Sequence, residues 1–354
     1  MGYAVHSLDD LLSHPFDSVI DVRSPAEFAL DHLPGAINLP VLNDAERVRV
    51  GTIYVQDNAF SAKKIGAALV ARNAARHLDG PLANKDGSWQ PLVYCWRGGQ
   101  RSGSFATILS QVGWRVQVLE GGYKTYRRLV SRAMYDAPLG HRLIILDGNT
   151  GTAKTELLQL LRDRGQQVID LEGLAAHRGS VFGAVERPQP SQKSFEAALA
   201  VAFAGFDTAR PVLLEAESSK IGKLIIPPSV WKAMNAASRL TISASIDDRA
   251  TYLTRTYHDI VQDRAALRDR LDILIPHQGR ERVEAWQTLA DQGQMKTLAT
   301  ELMQSHYDPS YARSRARRQE CVIATIEAKS LSSAGLAQIG DRLLTLIAKH
   351  HSAK

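Results

Sequence analysis

The chain has 354 residues, 44% of them hydrophobic and 23% charged, with a formal net charge of +6, the balance of a soluble protein with room for two or three separately cored domains. No apolar run approaches the roughly 20 residues that a membrane span needs, and two cysteines in so long a chain exclude a structural zinc site and fit a reducing compartment. The positive balance permits an anionic partner without requiring one.

The N-terminal segment Met1 to His6 lacks a basic stretch followed by an apolar core, so a cytoplasmic protein with no membrane association is expected. A first zone runs over residues 5–132. Val19-Ile20-Asp21-Val22 reads as a short strand. A helix follows, with Ser24 as N-cap, Pro25 at the first helical position and Glu27 at the third. His32 to Pro40 reads as a turn into an extended segment, and Arg115 to Leu119 as another strand, ending in Glu120-Gly121-Gly122. Strands alternating with helices predict a mainly parallel sheet covered on both faces.

The same zone holds the most informative run, Cys95-Trp96-Arg97-Gly98-Gly99-Gln100-Arg101-Ser102. It lies between the apolar Leu92-Val93 and the helical Ser104 to Leu109, so a lone cysteine stands where a strand ends and a helix begins. Two glycines let the backbone curl with its amides pointing inward. Such amides and a helix N-terminus attract an anion and lower a thiol pKa. Cys95 is therefore the candidate nucleophile, and Trp96, Arg97, Gly98, Gly99, Gln100 and Arg101 form the loop that would hold an anionic group. The competing assignment for Cys95 is a buried structural thiol. Cys321, in the apolar stretch Cys321-Val322-Ile323-Ala324, reads as a core residue.

A short linker, Arg132 to Gly140, leads to a second zone, residues 141–245. Leu143 to Leu146 reads as a buried strand, and Glu156 to Leu161 as a helix. Between them lie Gly148, Asn149, Thr150, Gly151, Thr152, Ala153, Lys154 and Thr155, in the strand–loop–helix context of a phosphate-binding P-loop. Loop amides would surround a diphosphate, Lys154 would reach its oxygens, and Thr155 is placed to hold a magnesium ion. The usual glycine before the lysine is Ala153, with Gly151 as the other source of flexibility. Gln167 to Glu172 reads as a strand with acidic residues at its end. Asp170 there either orients magnesium or water at the loop or caps a helix. Val212 to Ser218 reads as strand then loop and carries Glu215. Arg178, Lys193, Glu215 and Asp170 are the candidate accessory residues.

The third zone, residues 246–354, reads as mostly helical. Leu336, Ile339, Leu343, Leu344 and Ile347 recur at helical spacing, as core packing requires. Arg313, Arg315, Arg317 and Arg318 cluster after Tyr307 and Tyr311. They read either as an RNA-binding surface, with arginines on phosphates and Tyr311 stacking on a base, or as a solvated basic face. The histidines lack metal-ligand spacing, and no metal site is predicted from them.

Asp21 to Phe28, His32 to Pro40, the cysteine loop and Glu120-Gly121-Gly122 together resemble a rhodanese domain. The cysteine loop, the P-loop, and the blocks Asp170 to Leu174, His177 to Ser180, Gln189 to Lys193 and Val212 to Gly222 resemble, in order and spacing, the bacterial tRNA 2-selenouridine synthase family. The resemblance implies an α/β protein: a rhodanese-like parallel-sheet domain, then a P-loop α/β domain and the helical C-terminal region. It implies a transferase with selenotransferase and prenyltransferase steps. The substrate would be tRNA with 2-thiouridine at the wobble position. Geranyl diphosphate and selenophosphate would be co-substrates, with no tightly bound cofactor. Cys95 would carry selenium and the P-loop a diphosphate. Three other readings stand beside it: an ATP-dependent tRNA sulfurtransferase using a persulfide, a phosphatase of the C-x-x-x-x-x-R type, and a non-catalytic RNA-binding protein.

Overall fold

The computed structural model describes residues 2–180, 183, 187–256, 263–316 and 321–352. It divides into two units. The first comprises Met1–Ala137 with Pro190–Gly205, and the second Pro138–Gln189 with Phe206–Lys354.

In the first unit five parallel strands lie in the order Gly2–Tyr3, Gln117–Leu119, Pro91–Tyr94, Ser18–Asp21, Ile37–Asn38. The central strands are the apolar runs seen in the sequence, and Ile20, Leu92 and Val93 are completely buried. A parallel sheet needs cover on both faces, which is why these runs show no alternation. The expected helix forms at Pro25–Leu30, with the Ser24 amide donating to the Glu27 carboxylate at 3.3 Å. Two helices that the sequence reading did not anticipate, Asp44–Gln56 and Ala59–Asp79, pack against each other in the connection from Ile37–Asn38 to Pro91–Tyr94. Asp44–Gln56 buries none of its residues, so it carries no apolar stripe to betray it.

The second unit also has a five-stranded parallel sheet, in the order Val322–Ala328, Ser238–Ala244, Leu143–Gly148, Val212–Glu215, Gln167–Ile169. Its core joins Ile144, Leu146, Leu157, Leu161, Leu213 and Leu240 to Leu336, Ile339, Leu343 and Ile347 of the last helix, Ser333–Ser352. The helical spacing read near the C-terminus is therefore packing against the P-loop helix, Lys154–Asp163. A smaller core around Leu271, Val283 and Trp286 gathers the helices that follow residue 263.

Three points differ from the sequence expectation. Cys321 is exposed, because it precedes an edge strand whose first residue, Val322, is itself 46% exposed. The region from 246 onward is not a body of its own. Its strand Val322–Ala328 completes the sheet that carries the P-loop. Finally, Pro190–Gly205 leaves the expected 141–245 domain and packs with the rhodanese-like zone 5–132. Helix Gln192–Ala204 buries Phe195, Leu199, Ala200 and Phe203, and its buried Glu196 forms an ion pair with Arg127 and accepts a hydrogen bond from Tyr135 at 2.5 Å. A buried carboxylate must find its partners wherever they lie, and here they lie in the first unit.

Candidate functional sites

Cys95 follows the strand Pro91–Tyr94, and the loop it begins leads into helix Gln100–Val112. The loop closes against Gly121-Gly122. Gly122 has φ +56, and a Cβ there would collide with the carbonyl oxygen of Cys95. Gly98 has φ +67 and would bring a Cβ to 2.7 Å from the Leu119 carbonyl. Only glycine fits both constraints.

The Cys95 side chain is 3% exposed and borders the apolar Val93 and Phe105, yet its sulfur faces polar groups. Ser102 Oγ donates to Sγ at 3.1 Å. Burial pushes the thiol pKa up. The Ser102 hydroxyl, the amides of Ser102 and Arg97 and the charge of Arg101 outweigh it and hold the thiol below its ordinary value. A sulfur poised toward thiolate among loop amides has the chemistry of a candidate nucleophile. Ser102 ended the run noticed in the sequence, but its part in activating the sulfur emerges only from the fold.

The other loop residues divide. Trp96 is 37% exposed, its ring 5.2 Å from that of Tyr123, and Arg97 and Gln100 are exposed at the mouth. Arg101 is half-buried and pairs with Glu27 at 2.7 Å, so its charge is shared between a carboxylate and the loop. The capping glutamate of helix Pro25–Leu30 is thereby also the partner of the loop arginine.

In the second unit, Asn149–Ala153 turn between the strand Leu143–Gly148 and the helix Lys154–Asp163. Ala153 has φ 58 and ψ 33, the left-handed geometry that the usual glycine would adopt freely, and Gly151 is also left-handed at φ +86. Thr152 Oγ1 donates to the Asn149 carbonyl at 2.8 Å. Lys154 Nζ donates to the Gly148 carbonyl at 2.8 Å, and Thr155 Oγ1 to Glu172 at 3.3 Å. Thr150 is half-buried in the same turn.

The acidic side of this loop is denser than the sequence reading proposed. Asp170 caps the short helix Leu171–Ala175 by accepting from the Gly173 amide at 2.7 Å. Glu215 is 2% exposed and accepts from the Glu172 amide at 2.8 Å, while its Oε2 has no partner among the described residues. Burial and the nearby Asp170 and Glu172 push its carboxyl well above the ordinary range. Glu217, not singled out before, sits two residues on. Burial and its hydrogen-bonded neighbour Glu172 push it up to about 8. Its signal was the spacing Glu215-Ala216-Glu217, which returns both carboxylates to one side of an extended chain. Arg178 is half-exposed and donates its amide to the Gly183 carbonyl at 2.8 Å. Lys193 lies on helix Gln192–Ala204 of the first unit, where its carbonyl accepts from Arg127 at 3.3 Å.

The C-terminal basic cluster also divides. Tyr311 and Arg315, on helix Asp308–Ala316, come to the P-loop. The Tyr311 ring centroid lies 5.7 Å from Lys154 Nζ, and Arg315 reaches Asp147 at 3.2 Å. Arg313 is exposed, and Arg317 and Arg318 lie outside the described residues. A cavity of about 340 Å³ opens beside the loop, lined by Asp147, Gly179, Glu217, Tyr307, Tyr311 and Arg315 among others. Among the described residues no three His, Cys, Asp or Glu side chains converge as a metal cluster, and no helix is long and apolar enough to cross a membrane.

A parallel-sheet unit with a sulfur loop, joined to a second parallel sheet with a lysine loop, defines a rhodanese-type domain fused to a P-loop domain. The rhodanese-like domain model matches residues 4–129, and the tRNA 2-selenouridine synthase AAA domain model matches residues 141–272. The tRNA 2-selenouridine synthase of Shewanella halifaxensis is 38% identical over 251 residues, 69% of this chain and 66% of that one. That of Hahella chejuensis is 32% identical over 92% of this chain and 94% of its own. A solved rhodanese-related protein from Thermoplasma volcanium matches with 19% identity and a TM-score of 0.21 over 33% of this chain and 80% of that one. The chain belongs to the tRNA 2-selenouridine synthase family. The Shewanella match spans just under two thirds of that relative's length, and the Hahella match nearly all of it.

Proposed function

We propose that the chain converts 2-thiouridine at the wobble position of tRNA into 2-selenouridine in two transfers, one at each loop. Supporting this reading is the presence in one chain of two chemically distinct loops: one with a sulfur held below its ordinary pKa, the other with a lysine beside a cavity. At the P-loop, geranyl diphosphate would give its geranyl group to the thiocarbonyl sulfur. A thiocarbonyl sulfur leaves poorly, whereas an S-alkylated sulfur leaves as a thiol, so alkylation prepares the exchange. The chain's part is to neutralise the departing diphosphate. Lys154 and the amides of Gly151 to Thr155 serve that end, and one well-placed donor of this kind is worth roughly 3–4 kcal/mol.

The Cys95 thiolate would then attack the phosphorus of selenophosphate, with the loop amides and Arg97 on the phosphoryl group. The P–Se bond breaks, the selenide released adds to C2 of the base and expels the geranyl thiol, and water frees phosphate from Cys95. Thr155 fits a magnesium ion, since Mg²⁺ is held through few protein oxygens together with substrate phosphates. Its chemistry would be further charge neutralisation on the diphosphate. Exposed Arg313, with Arg317 and Arg318, is the candidate contact to tRNA.

Nucleoside mass analysis of tRNA incubated with the protein, geranyl diphosphate and selenophosphate tests the reading. Cys95→Ala is expected to accumulate geranylated tRNA without selenouridine. Lys154→Ala is expected to slow geranylation by a hundredfold or more. Equal loss of both steps in each variant would refute the division of labour. Nucleotide turnover stimulated by tRNA would replace it with the sulfurtransferase reading.

A further inference from the structure

The helix Asp308–Ala316 comes from the region expected to face tRNA, yet its side chains are tied to the P-loop. At its start Asp308 makes a bidentate ion pair with Arg249, with distances from 2.9 to 3.2 Å, and is hydrogen-bonded by Asn149 of the loop. Arg249 is buried, and its backbone carbonyl would lie 3.0 Å from a Cβ at Gly151. The helix is therefore held against the loop from its first residue. Further along, the Tyr311 ring stands 5.7 Å from Lys154 Nζ and 5.9 Å from the Arg315 guanidinium. One aromatic ring thus spaces two cations, and Tyr311 and Arg315 line the 340 Å³ cavity together.

We propose that Arg315 is the second cation of the diphosphate site, positioned by Tyr311, and that it binds the phosphate farther from Lys154. The inference rests on the diphosphate reading of the P-loop and deepens it. Arg315 is the strongest partner of Asp147, yet it can turn to a ligand because Asp147 keeps other donors. The buried Asp147 also accepts from the Gly148 amide at 2.6 Å and from the buried Arg239 at 3.3 Å. Arg315 itself remains 32% exposed. Its planar fork of donors matches a phosphate better than a lysine does. Glu217 lines the same cavity, and its carboxyl, pushed up to about 8 by burial and the neighbouring Glu172, puts less negative charge before a diphosphate.

The test is calorimetric titration of the full chain with inorganic pyrophosphate and, separately, with tRNA. Arg315→Ala is expected to weaken pyrophosphate binding at least tenfold while changing tRNA binding less than twofold. Arg315→Lys should fall between. Asp147→Asn, which frees Arg315 without removing it, should bind pyrophosphate as well as the native chain or better, and Arg315→Lys decides the matter if Arg315→Ala fails to fold. The exposed Lys232→Ala controls for net charge. Native affinity for pyrophosphate in Arg315→Ala or Arg315→Lys, even with a lowered melting temperature, would overturn the proposal and leave the Asp147 pair as a structural contact. An equal loss of tRNA affinity would overturn it in favour of an RNA-phosphate contact. Failure of the native chain itself to bind pyrophosphate would remove the diphosphate reading first, and this inference with it.

Discussion

Replacing Ser102 with alanine isolates what activates the sulfur. Ser102 is completely buried, and the change removes one hydroxyl from a position where it donates to Cys95 Sγ at 3.1 Å. A hydrogen bond to a charged group is worth about 1.5–3 kcal/mol. The same hydroxyl also lies 3.2 Å from the Gly99 carbonyl, and a single proton cannot serve both acceptors at once. The low end, about 1.5 kcal/mol, is therefore expected, which is about a tenfold smaller thiolate-to-thiol ratio at neutral pH. The assay is the rate of iodoacetamide alkylation as a function of pH. The profile of Ser102→Ala should move to higher pH, with alkylation at neutral pH about tenfold slower and the plateau rate at high pH kept. An unmoved profile would show that the amides and Arg101 suffice and that Ser102 only fills space.

Gly122→Ala should destabilise the first unit by more than about 2 kcal/mol in urea denaturation, because a left-handed alanine would be forced onto the Cys95 carbonyl. Arg127→Ala should cost roughly 3 kcal/mol and raise hydrogen exchange in helix Gln192–Ala204, since it leaves the buried Glu196 short of its cation. Exchange unchanged there would refute the pairing of that helix with the first unit. The raised carboxyl of Glu217 binds a proton in the folded chain that it would release on unfolding. Its contribution to stability is complete below the ordinary glutamate value and fades as pH rises through about 8. Glu217→Gln should accordingly flatten the fall in melting temperature between about pH 4.5 and pH 8 and leave the slope above that unchanged.

Both loops could be read from sequence because each packs its chemistry into one contiguous run. The strand before it and the helix after it are signalled by apolar residues and glycines within a dozen positions. What could not be read depends on distant partners. Ser102 and Cys95 are seven residues apart, and only the turn of a helix aims one at the other. Arg315 stands 168 residues from Asp147, and composition alone left its arginine cluster as either an RNA surface or a solvated face. The strand Val322–Ala328 escaped notice because an edge strand with one wet side mixes exposed and buried positions. Ala153 had looked like a defect in the P-loop pattern, but the backbone there is left-handed as the pattern demands, at a cost of roughly 1–2 kcal/mol.

The loan of Pro190–Gly205 to the first unit has a practical consequence for anyone dissecting the protein. A clone ending near residue 137 would lack the helix that carries Glu196, leaving Arg127 and Tyr135 without their acceptor and the side chains around Phe195 without cover. A clone beginning near residue 138 would carry the same greasy segment with nothing to receive it. Gene fission at the obvious seam should therefore yield two sticky fragments, and a circular permutant or co-expressed halves that retain both stretches would be the sounder route to the isolated sulfur-carrying half.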